Sequence, residues 1–147
     1  MTQALEPLDG AWIWTGAKYP DNRSWVRRFD ANMLSELEAA GRRMIDSGAA
    51  PESITAAAYD LPITSALLDA SYNDLENGPG FSMLSGLPVD DWGLELSRAV
   101  LCIAGAQYGK ITKQNREGEY LLDVVNKDVT HGTQNRGYHS NVLLDFH

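Results

Sequence analysis

The side chains in this sequence best suited to chemistry are three histidines, His131, His139 and His147, which all fall in its last seventeen residues. Histidine is the commonest metal ligand, so such clustering is a hint of a metal site. Generic signatures are missing. There is no phosphate-binding glycine loop, no Gly-x-Gly-x-x-Gly motif, no His-Glu-x-x-His and no Gly-x-Ser-x-Gly. Carboxylates are plentiful, but no spacing pairs two of them for acid/base work. The single cysteine, Cys102, rules out an intrachain disulfide and a multi-cysteine zinc site. It lies in the apolar run Val100-Leu101-Cys102-Ile103, where a buried, inert thiol is expected.

Elements must position these residues. A chain of 147 residues suits one domain, with 44% hydrophobic and 22% charged residues. Its longest nearly apolar stretch, Ala99 to Ala106, is too short to cross a bilayer, and its first residues lack the basic and apolar regions of a signal peptide. A cytoplasmic location with no membrane partner is expected. The net charge of −8 and a pI near 4.7 argue against a nucleic-acid surface, which needs clustered Lys and Arg. The one basic cluster, Arg23 with Arg27 and Arg28, is small.

Along the chain, Ala11–Thr15 reads as a short extended segment whose tryptophans cap a core, followed by a turn at Tyr19-Pro20-Asp21-Asn22. A helix is predicted from Asp30 or Asn32, with Met33, Leu34, Leu37, Gly41, Met44 and Ile45 on one face and an end at Gly48 and Pro51. Glu36, Glu38, Arg42 and Arg43 read as its solvated face. A second helix is expected from Asp60-Leu61-Pro62, burying Ala66, Leu67, Ala70 and Leu75, and stopped by Asn77-Gly78-Pro79-Gly80. Phe81–Ser85 reads as a strand. A third helix, capped by Asp90 or Asp91, carries Leu94, Val100, Leu101 and Ala104 and ends near Gly105 or Gly109. Residues 119–125 and 140–146 read as further strands. Helices followed by strands predict an α+β domain, and a strand pattern running to the last residue predicts that its sheet is incomplete.

A resemblance sharpens this reading. Gly80-Phe81-Ser82-Met83-Leu84-Ser85-Gly86-Leu87-Pro88-Val89 resembles the "Gly-Phe-x-x-Leu-x-Gly-Leu-Pro" strand of TauD/TfdA-like (clavaminate-synthase-like) oxygenases. Gly109–Gly118 is similar to that family's loop in which Gln-Asn, here Gln114-Asn115, precedes a glycine. Arg136-Gly137-Tyr138-His139-Ser140-Asn141, leading to Leu144-Asp145-Phe146-His147, resembles the family's approach to its metal motif, "Phe-His-Thr-Asp". The likeness runs from about Phe81 to the end, with a looser echo in the Trp-rich start, and rests on order and spacing.

The resemblance implies a single domain over 1–147, the N-terminal part of an oxygenase domain truncated at its first metal motif, with N-terminal helices packed on the first strands of a double-stranded β-helix (jelly roll). It implies Fe(II) and 2-oxoglutarate as cofactor and co-substrate, dioxygen and a small organic molecule as reaction partners, and His147 as the first ligand of a 2-His-1-carboxylate triad. The triad's carboxylate belongs at the second position after His147 and its other histidine far downstream, so these residues alone are expected to turn nothing over. Gln114, Asn115, His139 and Asn141 are candidate substrate contacts; strand alternation would put His139 and Asn141 on one face with His147. Each has a plainer reading: a loop histidine for His131, ordinary strand polarity for His139, turn chemistry for Gln114 and Asn115, a solvated terminal residue for His147. A non-catalytic interaction or binding domain with a jelly-roll-like sheet is the alternative, and the sequence leaves the oligomeric state open.

Overall fold

The computed structural model describes residues 9–19, 23 and 25–125 of the chain. The chain divides into two compact units, Met1–Ile111 and Thr112–His147, the second described only as far as Val125.

In the first unit, strand β1 (Val26–Arg28) leads into helix α1 (Ala31–Ser47), then a 3-10 turn at Pro51–Ser53, helix α2 (Ser65–Glu76), strand β2 (Met83–Ser85) and helix α3 (Val89–Tyr108). The two strands pair in parallel, Val26 opposite Met83, Arg27 opposite Leu84 and Arg28 opposite Ser85. A parallel pair needs a crossover, and here it is the whole stretch containing α1 and α2. β1 was not anticipated: with two arginines in three residues it shows no apolar alternation. Its arginines read instead as a basic cluster, yet Arg27 is held by Asp74 of α2, Nη2 to Oδ2 at 2.7 Å.

α1 follows its local signals. The Asp30 carboxylate accepts from the Met33 N–H at 2.9 Å, an N-cap that satisfies one of the first unpaired donors. Gly48 closes the helix in the left-handed conformation (φ 63°), where a glycine has no Cβ to clash. Leu37, Ala40, Gly41 and Met44 are buried on the face that packs against α3, and Leu96, Ala99, Val100 and Ile103 answer from the other side. Gly41 marks the closest approach: a Cβ there would lie 2.6 Å from Leu96 Cδ1 and 2.9 Å from Val100 Cγ2.

The solvated face assigned to α1 needs correction. Glu38 and Arg42 do form an exposed ion pair one turn apart. Glu36, however, reaches across to the start of α2, and Arg43 donates to the Ala58 carbonyl at 3.1 Å while lying 4.7 Å over the Tyr59 ring. These contacts hold the segment whose Ile54, Tyr59 and Leu61 side chains are buried.

α2 starts at Ser65, later than Asp60-Leu61-Pro62 suggested, because residues 62–64 form a turn first. Its buried residues are Leu68 and Ser71, whereas Ala66 and Leu75 are exposed. α3 begins at Val89 with Asp90 and Asp91 in its first turn, where they suit the positive end of the helix dipole rather than cap it. The helix breaks at Gly93 (φ 71°, ψ 178°) and ends before Gly109. Leu94 and Leu101, expected inside, are 64% and 56% exposed; Leu96, Val100, Cys102 and Ile103 are buried instead.

Ala11–Thr15 is not extended throughout. It contains a turn in which the Ile13 N–H donates to the Gly10 carbonyl. Trp12 and Trp14 remain substantially exposed, although the Trp14 Nε1–H donates to the Pro79 carbonyl at 2.9 Å and its ring meets Phe81 edge-on. Residues 20–22 lie outside the described part.

The fold is thus mixed helix and sheet, with helices α1 to α3 and a two-stranded parallel sheet among the described residues. The strand expected over residues 119–125 is absent, because no neighbouring strand pairs with it among the described residues and a strand is stabilised by its ladder. No jelly roll appears among the described residues. The strand expected over 140–146 lies outside them.

Candidate functional site

Of the site residues read from the sequence, Gln114 and Asn115 lie within the described part of the second unit. They sit in a tight loop closed by Gly118, whose φ of 88° suits glycine. The Asn115 side chain spans the loop at both ends of its amide: Oδ1 accepts from the Glu119 N–H at 2.9 Å, and Nδ2 donates to the Glu119 carboxylate. The Gln114 backbone N–H donates to the Glu119 carbonyl at 2.7 Å, and its side-chain Nε2 donates to the Thr112 carbonyl at 2.9 Å. Asn115 therefore shapes the loop, as short polar side chains do when they replace backbone partners in a turn. Gln114 is exposed and has its Oε1 left to offer as an acceptor.

His131, His139, Asn141 and His147 lie outside the described residues. Among the described residues no three His, Cys, Asp or Glu side chains gather as a metal ion would need.

Cys102 is buried, at 2% exposure, and burial pushes its thiol pKa up. A thiol rather than a thiolate at neutral pH is a poor nucleophile, in keeping with the inert role expected for it.

Sequence reasoning passed over a recess in the first unit, between α2 and the end of α3. It has a volume of about 360 Å³ and is lined by Ser65, Leu68, Asp69, Tyr72, Gln107 and Tyr108. The signal was available: Ser65, Leu68, Asp69 and Tyr72 recur at helical spacing, and a polar face of that kind reads as solvated until another element is placed beside it. Tyr72 and Tyr108 stack with ring centroids 6.1 Å apart. A smaller recess of about 250 Å³, bounded by Glu52, Ile54, Thr55, Ala106 and Lys110, lies at the same end of α3.

No helix among the described residues is long and apolar enough to cross a membrane. No family model matches the chain. It is 27% identical over 146 residues to FR-33289 synthase of Streptomyces rubellomurinus, a match that covers 97% of this chain and 42% of that protein's length. The chain is therefore a distant relative of a synthase and spans less than half of that protein's length.

Proposed function

We propose that this chain is the N-terminal part of a TauD/TfdA-like, non-haem Fe(II)/2-oxoglutarate-dependent dioxygenase that oxidises a small organic substrate. The observation that carries the reading is the ordered run of family-like segments from Gly80 to His147. Two findings support it. The chain aligns over nearly its whole length with part of a longer synthase, and the first family-like segment forms β2 followed by α3, with Gly80 and Gly86 at positive φ around the strand.

In this reading residues 1–147 belong to one cytoplasmic domain, whose helices pack on the first strands of a jelly roll completed by chain beyond His147. Fe(II) with the co-substrates 2-oxoglutarate and dioxygen would supply the oxidising chemistry, 2-oxoglutarate being converted to succinate and carbon dioxide as the substrate is oxidised. His147 is one metal ligand. Gln114, through its free Oε1, together with His139 and Asn141, contacts substrate, and Asn115 contributes by holding the loop that carries Gln114. One imidazole is too few ligands for useful iron affinity, so the 147 residues alone are inactive.

The test is expression of the reading frame extended beyond His147. The longer protein should bind 2-oxoglutarate in calorimetry only when Fe(II) is present, and His147→Ala should abolish that binding. A continuation lacking a carboxylate at the second position after His147, or 2-oxoglutarate binding that ignores iron, would refute the reading and leave the non-catalytic binding domain in its place.

A further inference from the structure

The recess between α2 and α3 offers a ligand an unusual set of groups. Asp69 is exposed, and among the described residues no ion pair joins it to a cation and no Lys or Arg lines the recess. Gln107 has already used its amide N–H groups, donating to the Tyr59 carbonyl at 3.1 Å and the Ile103 carbonyl at 3.3 Å; what it has left is the acceptor Oε1. The Ser65 hydroxyl donates to the Pro62 carbonyl at 3.2 Å and likewise keeps its lone pairs. Because the Tyr108 hydroxyl is itself buried, the ring is what Tyr108 presents to the recess, beside the stacked ring of Tyr72. Leu68 lies beneath, 2% exposed.

A carboxylate, two acceptor oxygens and two aromatic rings, with no cation among them, repel anions and favour positive charge. Aromatic faces attract cations through their quadrupole, and a carboxylate one helical turn from Tyr72 adds a full charge at the same place. The chain's net charge of −8 draws cations towards it at longer range. A volume of about 360 Å³ suits a compact organic group. We infer that this recess is a binding site for a compact organic ammonium ion, held by the Asp69 carboxylate and the Tyr72 and Tyr108 rings. The inference stands independently of the oxygenase reading.

The test uses the full 147-residue chain at constant ionic strength, titrated with tetramethylammonium or n-butylammonium chloride and followed by the NMR resonances of the tyrosine rings and the Gln107 side-chain amide. Saturable shifts are expected with at least one of these ions, and not with neutral tert-butanol. Asp69→Asn and Tyr72→Leu should each weaken binding by about fivefold, while Tyr72→Phe, which keeps the ring, should bind like the parent. Both positions are exposed, so thermal melts should show the variants folded. The inference is overturned if neither ion saturates, if tert-butanol produces the same shifts, or if Asp69→Asn binds as tightly as the parent chain.

Discussion

The contact between Glu36 and the start of α2 provides the sharpest test of how the first unit is held together. α2 begins after Thr64, which makes no side-chain cap of its own. The cap comes from a different helix: Glu36 Oε1 accepts from the Ile63 N–H at 2.9 Å, and Oε2 accepts from the Thr64 N–H at 2.8 Å and the Thr64 hydroxyl at 2.6 Å. Thr64 is fully buried, so its hydroxyl has no water to turn to if Glu36 is truncated. Its N–H is less dependent, since it also reaches the Leu61 carbonyl at 3.1 Å.

Hydrogen bonds to a charged group contribute about 1.5–3 kcal/mol each, and stranding a buried hydroxyl costs about 1–3 kcal/mol. Ile63 is exposed and Glu36 is partly so, which discounts the sum. Glu36→Ala should therefore lower stability by about 2–4 kcal/mol, a large share of what a domain of this size possesses. Glu36→Gln, which keeps an acceptor but loses the charge, should cost about half as much. Urea unfolding followed by circular dichroism measures both, and faster hydrogen exchange at the Ile63 amide locates the effect. A cycle with Thr64→Val should return a coupling energy of about 0.5–3 kcal/mol. A loss below about 0.5 kcal/mol for Glu36→Ala, the level of an ordinary surface substitution, would refute the argument.

Two glycines of α3 should respond with opposite signs. Gly93 (φ 71°, ψ 178°) occupies backbone space closed to other residues, so Gly93→Ala should destabilise by about 1–3 kcal/mol; Gly105, helical with open space around it, should gain about 0.5–1 kcal/mol as alanine, and thermal denaturation compares the two. Gly41→Ala sets a helix-propensity gain of about 1 kcal/mol against overpacking on Leu96 and Val100, and a net loss in urea unfolding is expected because the Val100 side chain is fully buried and cannot yield. Cys102 should resist thiol reagents at neutral pH until the chain unfolds, as followed by mass spectrometry. Since burial raises its pKa in the folded state, its contribution to stability is fully present below the ordinary thiol value of 9.0 and is lost as pH rises beyond it, so the part of the pH dependence of chemical denaturation that Cys102→Ala removes should lie on the alkaline side.

The parts of the fold legible in the residue order are those governed by neighbours along the chain. The Asp30 cap, the Gly48 stop, the break after α2 at Asn77-Gly78-Pro79-Gly80 and the end of α3 at Gly109 all depend on backbone groups within a turn or two. The burial of Cys102 was foreshadowed by its apolar run. The candidate site was legible only as an order of short segments, and the loop geometry of Gln114 and Asn115 was not, because it turns on how far Glu119 folds back.

What tertiary structure decided are the partnerships between distant residues. β1 exists because Met83–Ser85 lies beside it, not because Val26-Arg27-Arg28 favours a strand. Glu36 and Arg43 were assigned to solvent because periodicity sees one helix at a time, and only the placement of residues 58–64 against α1 turned them into a cap and a clamp. The same blindness hid the recess of Asp69 and Tyr72, whose second wall is supplied by α3. Local signals act through bonds a few residues apart and can be read from order alone. A long-range contact takes its free energy from whichever element the rest of the chain brings near, and no single segment encodes that.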